Sequence, residues 1–208
     1  MQIEIAILTV GPVQTNCYIV NKKGSQSCVV IDPGEEAGKI AGYLERKGLK
    51  NEGILLTHGH FDHITGVSDL ISLSGGAVYA CEEEKELLAD PIQNSSAMTG
   101  QPVALEPEHF MKDGQVFEVA GMEFKVLHTP GHTIGSCCFY LEEEKVLFSG
   151  DTVFLESVGR TDFPTGNGRK LVESIRTKIF ALPPEVQIYP GHGPETNVAY
   201  EMQNNPFV

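Results

Sequence analysis

Thr57-His58-Gly59-His60-Phe61-Asp62-His63 gathers three imidazoles and a carboxylate into seven residues, and the reading of the whole chain turns on it. The stretch follows a short apolar run, Gly53-Ile54-Leu55-Leu56, and precedes an amphipathic segment at residues 64–73. It therefore reads as a loop from a buried strand into a helix. A neutral imidazole is a borderline-soft nitrogen donor and a carboxylate a hard oxygen donor, a mixture that suits zinc, iron or manganese rather than calcium or magnesium. His58 and His60, two apart on extended backbone, can point the same way, while Asp62 and His63 follow a bend that Gly59 permits. Two donor pairs facing neighbouring positions suggest two metal ions. A histidine-rich surface turn is the competing reading, and it explains one isolated histidine better than it explains this cluster.

Working outward, apolar patterning predicts strands at residues 3–8, 17–20 and 28–31, the last two joined by a turn at Asn21-Lys22-Lys23-Gly24. The third strand runs into Asp32-Pro33-Gly34, where the aspartate is either a turn acceptor or a partner that orients a metal-bound histidine. Ala37, Ile40, Ala41 and Leu44 have helical spacing within 35–47, and Gly48 stops that helix. Gly75-Gly76 leads into a strand at 77–80, and Glu82-Glu83-Glu84-Lys85-Glu86 reads as the solvated face of a short helix. Periodicity fades over 90–107, as in a lid or a mobile wall. Strands return at 115–119, 122–127, 137–141 and 145–148, a helix at 170–181 puts Leu171, Ile175 and Ile179 on one face, and 186–189 leads into Pro190-Gly191-His192-Gly193. Strand-then-helix occurs in both halves with donor residues at strand ends. This predicts two sheets packed face to face, helices outside, and the loops of one edge converging.

The 208 residues are 41% apolar and contain no Ser/Gly/Pro-rich linker, so one domain spanning 1–208 is expected. A formal charge of −13 opposes a nucleic-acid partner, because phosphates would be repelled over most of the surface. The first lysine is Lys22, so the start of the chain has no basic region of a signal peptide, and its apolar stretch is too short to span a membrane. A cytoplasmic protein without membrane attachment is expected. Five cysteines form no C-x-x-C pair and are expected to be reduced and mostly buried, with Cys137 and Cys138 pointing to opposite faces of a strand.

Strand-end loops supply three further donor candidates, His132, Asp151 and His192, each with glycine beside or just before it. With these in place the chain resembles the metallo-β-lactamase superfamily: the T-H-x-H-x-D-H loop at 57–63, T-P-G-H-T at 129–133, S-G-D at 149–151 and P-G-H-G at 190–193 match its motifs in order. Within that superfamily it is similar to a short glyoxalase II, a hydroxyacylglutathione hydrolase. The resemblance implies an α/β fold with a four-layer αββα sandwich. It also implies one metal on His58, His60 and His132, a second on Asp62, His63 and His192, and Asp151 bridging both. Two divalent cations, zinc before iron or manganese, would then activate water for attack on a small acyl-thiol such as S-D-lactoylglutathione, with Asp62 and Asp151 the catalytic carboxylates.

Longer glyoxalase II proteins carry an additional C-terminal region whose basic residues hold the glutathione carboxylate, and this chain ends at Asn205-Pro206-Phe207-Val208. Arg160 is the remaining candidate for gripping a substrate carboxylate, with a salt bridge to Asp162 as its alternative. The segment Gly159-Arg160-Thr161-Asp162-Phe163 also resembles one in persulfide dioxygenases of the same superfamily, where His58, His132 and Asp151 would hold a single iron. His128 is expected to be a hydrogen-bonded structural imidazole, and His109 to be exposed.

Overall fold

Side chains of the strand Ser27–Ile31 divide between two cores: Val29 and Ile31 enter the layer between the sheets, Cys28 and Val30 the layer beneath the helices. The strand Cys137–Leu141 does the same in the second half, with Cys137, Phe139 and Leu141 between the sheets and Cys138 and Tyr140 on the outer face. Strands buried on both sides read as continuous apolar runs. Each fully buried side chain of this kind contributes about 1.5–3 kcal/mol, and the sum holds four layers together: helix, sheet, sheet, helix. The computed structural model describes residues 2–208.

The first sheet runs in sequence order through β1 (Ile3–Val10), β2 (Thr15–Lys22), β3 (Ser27–Ile31), β4 (Lys50–Leu55), β5 (Ala77–Cys81) and β6 (His109–Met111). Tight turns make β1, β2 and β3 antiparallel. From β3 onward the pairing is parallel, because helices intervene. These are α1 (Ala37–Lys47), then α2 (Phe61–Ile64) and α3 (Val67–Ser74), then α4 (Lys85–Ala89). The second sheet begins with β7 (Val116–Val119), β8 (Met122–His128), β9 (Cys137–Leu141) and β10 (Val146–Gly150). A two-stranded arm, β11 (Val153–Phe154) and β12 (Ser157–Val158), leaves it before α5 (Gly168–Ser174), β13 (Gln187–Pro190), β14 (Thr196–Asn197) and α6 (Val198–Asn204). Its spatial order is β14-β13-β10-β9-β8-β7, with β13 parallel to β10.

Several expectations needed correction. The helix predicted at 64–73 is two, because the helical hydrogen-bond ladder is interrupted where the chain crosses the Asp32-Pro33-Gly34 turn and the Gly66 N–H donates to the Gly34 carbonyl at 2.9 Å. Only glycine fits at that crossing: a Cβ on Gly34 would lie 1.6 Å from the Asp62 carbonyl oxygen. The helix predicted at 170–181 starts at Gly168, capped by Asn167, and widens into a π-helical turn over Ile175–Ile179. Leu171, Ile175 and Ile179 are all buried as expected. The 90–107 stretch is a wall pinned in place: Asn94 is buried, donates to the Val103 carbonyl, and accepts the Phe61 N–H on its own carbonyl. All five cysteines are free and buried, and Cys137 and Cys138 do face opposite cores.

Candidate metal centre

Four strand ends converge at one edge of the sandwich. His58 and His60 lie on extended backbone after β4, with His60 at φ −65°, ψ 149° capping α2, so that Asp62 and His63 occupy the first helical turn. His132 sits in the β8–β9 loop, closed by Thr129 N–H to the Ser136 carbonyl and Gly131 N–H to the Thr133 carbonyl. Asp151 and His192 follow the parallel neighbours β10 and β13, stitched by Gly191 N–H to the Gly150 carbonyl at 2.8 Å. A Cβ on Gly191 would stand 2.2 Å from Asp151 Oδ1, so the carboxylate needs glycine there.

All seven residues expected as ligands meet at this edge. Possible donor atoms of His58, His60 and His132 lie within 4.8 Å of one another, as do those of Asp62, His63 and His192. Asp151 stands between the two groups, with Oδ2 3.6 Å from His132 Nε2 and Oδ1 3.4 Å from His63 Nε2. Across the second group His63 Nε2 and His192 Nε2 are 3.3 Å apart, and His192 Nε2 is 3.2 Å from Asp62 Oδ2.

Hydrogen bonds behind the rings fix which nitrogen faces inward. His132 Nδ1 donates to the Arg160 carbonyl at 2.7 Å and His63 Nδ1 to Asp32 Oδ2 at 2.9 Å. Thr57 Oγ1 donates to Asp32 Oδ2 and, at 3.1 Å, accepts from His58 Nδ1. His132 and His58 are thereby left with a lone pair on Nε2 aimed at the centre, and His63 presents Nε2 there, free to ligate once its second proton leaves. His58 Nε2 stands 3.1 Å and His60 Nδ1 2.8 Å from His132 Nε2. The inward lone pairs of His58 and His132 repel at 3.1 Å unless a cation lies between them, whereas no hydrogen bond behind the ring fixes the tautomer of His60, whose Nε2 is buried without a partner. Asp151 Oδ1, buried with no hydrogen-bond partner, is a second donor lacking a counterpart. The donor set fits divalent cations.

Electrostatics divides the centre. Burial, reinforced by the neighbouring imidazoles, pushes His58 well below its usual range and His60 down to about 3. Burial also lowers His132, against the pull of Asp151. In the other group burial is overcome by carboxylates: Asp62, Asp151 and Asp32 raise His63 to about 10, and Asp62 and Asp151 raise His192. Burial would raise Asp62 as well, but His63 and His192 hold it below the usual carboxylate range.

Asp32 takes the second of its two expected roles. It accepts the Thr57 N–H and hydroxyl as well as His63 Nδ1, and so orients a candidate ligand. Glu84 corrects the reading of the charge run as solvated. Only 1% exposed, it accepts Gly59 N–H and the Thr133 hydroxyl on Oε1 and Gly135 N–H on Oε2, tying the His58–His63 loop to the His132 loop. A 3₁₀ turn over Glu82–Glu84 rotates it inward, and its place three residues after a buried strand was the one available signal. Arg160 takes its alternative role: Nε and Nη2 donate to the two Asp162 oxygens at 2.7 and 2.8 Å. His128 is structural, its Nε2 bonding the Ile134 carbonyl, and exposed His109 stacks on Tyr79.

Comparison with known proteins agrees with this geometry. A sequence model of the metallo-beta-lactamase superfamily matches residues 10–192. The probable metallo-hydrolase YqgX of Bacillus subtilis is 37% identical, over 97% of this chain and 95% of its own length. The hydroxyacylglutathione hydrolase GloC of Haemophilus influenzae is 34% identical, over 99% and 98%. Among solved structures, the BLEG-1 B3 metallo-beta-lactamase superposes with a TM-score of 0.92 at 38% identity, covering 98% of this chain and 99% of the other. TTHA1623 in a di-iron-bound form gives 0.86 at 35%, covering 98% and 100%, and ETHE1 from Myxococcus xanthus 0.78 at 27%, covering 98% and 83%.

Proposed function

Since the chain belongs to the metallo-beta-lactamase superfamily, we propose that it is a thioester hydrolase with a dinuclear metal centre, acting on S-D-lactoylglutathione or a related acyl-thiol. One observation carries this reading: Asp151 presents separate oxygens to two donor groups, 3.6 Å from His132 and 3.4 Å from His63. On this reading His58, His60 and His132 hold one ion, Asp62, His63 and His192 the other, and Asp151 both. Zinc suits these donors, as do iron and manganese. Such ions, when bound, lower the pKa of water from about 15.7 toward 7 and polarise a carbonyl.

The chain's own residues do the rest. Asp32 and the Arg160 carbonyl keep Nε2 of His63 and His132 directed inward. Asp62 stays ionised, accepts the Thr15 hydroxyl at 3.2 Å, and lines the cavity, so it would serve as a ligand first and as acceptor of the attacking water's proton second. A thiol of pKa about 8.5 departs as its anion, so the reaction makes no demand for a general acid. GloC, matched over 98% of its own length, supports glutathione as a carrier. Small-molecule substrates, rather than nucleic acid or membrane, belong to the same proposal. The formal charge is −13, and no helix among the described residues is long and apolar enough to cross a membrane.

Likeness to ETHE1 and the Gly159–Phe163 segment favour a second reading, an iron-dependent persulfide dioxygenase using His58, His132 and Asp151. Metal analysis alongside two assays separates the two. Near two metals per chain with cleavage of S-D-lactoylglutathione or a related thioester supports the hydrolase. One iron per chain with oxygen uptake on glutathione persulfide contradicts it, as does full thioesterase activity in His60→Ala.

A further inference from the structure

The cavity over the metal centre, about 510 Å³, has walls unlike its floor. Val13, Phe61, Met98, Phe154 and Phe163 reach it from five separate segments: the β1–β2 turn, α2, the 90–107 wall, the β11 arm and the loop after Gly159. Met98 is 81% exposed and Val13 45%, so apolar surface stands in water at the rim. Apolar side chains lining a cavity beside a reactive centre mark a place for an apolar ligand group, whose burial would release that water.

Among the described lining residues outside the histidines, only Arg160 carries positive charge. Its guanidinium lies 3.9 Å over the Phe163 ring, and Phe163 in turn meets His60 edge-on at 5.4 Å, so the cation lines the same cavity as the candidate ligands. Yet its Nε–Nη2 edge is taken by both oxygens of Asp162. A substrate carboxylate arriving at the remaining edge would meet a cation already neutralised and a second carboxylate beside it.

Resting on the thioesterase reading, we propose that this cavity selects thioesters with apolar acyl groups, and that Asp162 enforces the selection by occupying Arg160, so that a carboxylate-ended acyl group finds no anchor. Asp162 is then a specificity residue that acts through Arg160. Using two carriers in the test separates selection on the acyl group from selection on the thiol.

The test uses zinc-reconstituted full-length protein and four thioesters, hexanoyl and glutaryl, each on glutathione and on N-acetylcysteamine. With buried methylenes each contributing a factor of about four, wild type should favour hexanoyl over glutaryl by at least about tenfold in kcat/KM on both carriers. Asp162→Asn keeps the size and one acceptor of the side chain. It should shrink that ratio about fivefold, mainly through a lower KM for the glutaryl esters, as a freed guanidinium grips the carboxylate. Asp162→Ser should move the ratio the same way, and metal content reports whether either variant has kept its site. A wild-type enzyme that prefers glutaryl, or a ratio unmoved in both metal-replete variants, would overturn the proposal. If no ester on either carrier is cleaved while the metals are bound, the thioesterase reading itself falls, and the selectivity with it.

Discussion

The two donor groups, or halves, of the candidate metal centre flank one carboxylate, Asp151, yet hold protons oppositely. His58, His60 and His132 are surrounded by buried rings and one another, and their pKa values fall, His60 to about 3. His63 and His192 face Asp62 and Asp151, and theirs rise, His63 to about 10. A cation entering the first half meets bare lone pairs. A cation entering the second must expel a proton. The lesson is that ligand type alone does not set how a metal position fills; the charges just behind and beside the ligands do.

Breaking the first half should cost most. His132→Ala removes one of three imidazoles and a contact to Asp151, so kcat/KM on a thioester should fall by about 10³-fold or more, with bound metal dropping from two toward one per chain by elemental analysis. Asp32→Asn leaves every ligand in place but weakens the carboxylate behind His63. A loss of about 10–100-fold in metal affinity, larger in the second half, which Asp32 touches directly, than in the first, which it reaches through Thr57, is expected from a competition titration.

Glu84→Gln touches both halves together. A glutamine turns an amide NH₂ toward either Gly135 N–H or Gly59 N–H, leaving one buried donor unmatched, so stability should fall by about 1–3 kcal/mol in denaturant unfolding. Both metals should weaken in parallel. Loss of one metal alone would mean the two loops are not tied through this residue.

The last contrast is one of pH. His63 has a folded-state pKa raised to about 10, against about 6.5 unfolded, so in the metal-free chain its contribution is complete below about 6.5 and lost as pH rises through about 10. The metal-free unfolding midpoint should therefore decline over that interval, and that of the metal-loaded chain should decline less, because an ion replaces the proton. Metal affinity of the second half should fall as pH is lowered, more steeply than that of the first.

These contrasts were only partly legible in the sequence. The His-rich loop, the glycine-flanked His132, Asp151 and His192, and the double-faced apolar strands announce themselves, because ligand chemistry and burial leave local patterns. Glu84 did not, since a run of three glutamates reads as solvated until a 3₁₀ turn rotates one of them under two loops. Nor did the break at Gly66, which depends on the Asp32-Pro33-Gly34 turn crossing from another part of the chain. Asp32 and Arg160 each offer two readings from sequence: the choice for Asp32 rests on His63, 31 residues away, a long-range contact with no local signature, whereas the Arg160 partner, Asp162, is only two residues on and was legible as an alternative.

The central claim is a centre that works with two ions. Metal-free protein, reloaded stepwise with zinc while thioester cleavage is followed, tests it most directly. Activity that climbs with the second equivalent and levels off at two per chain is the predicted result. Full activity at one equivalent, unchanged by the second, would contradict it.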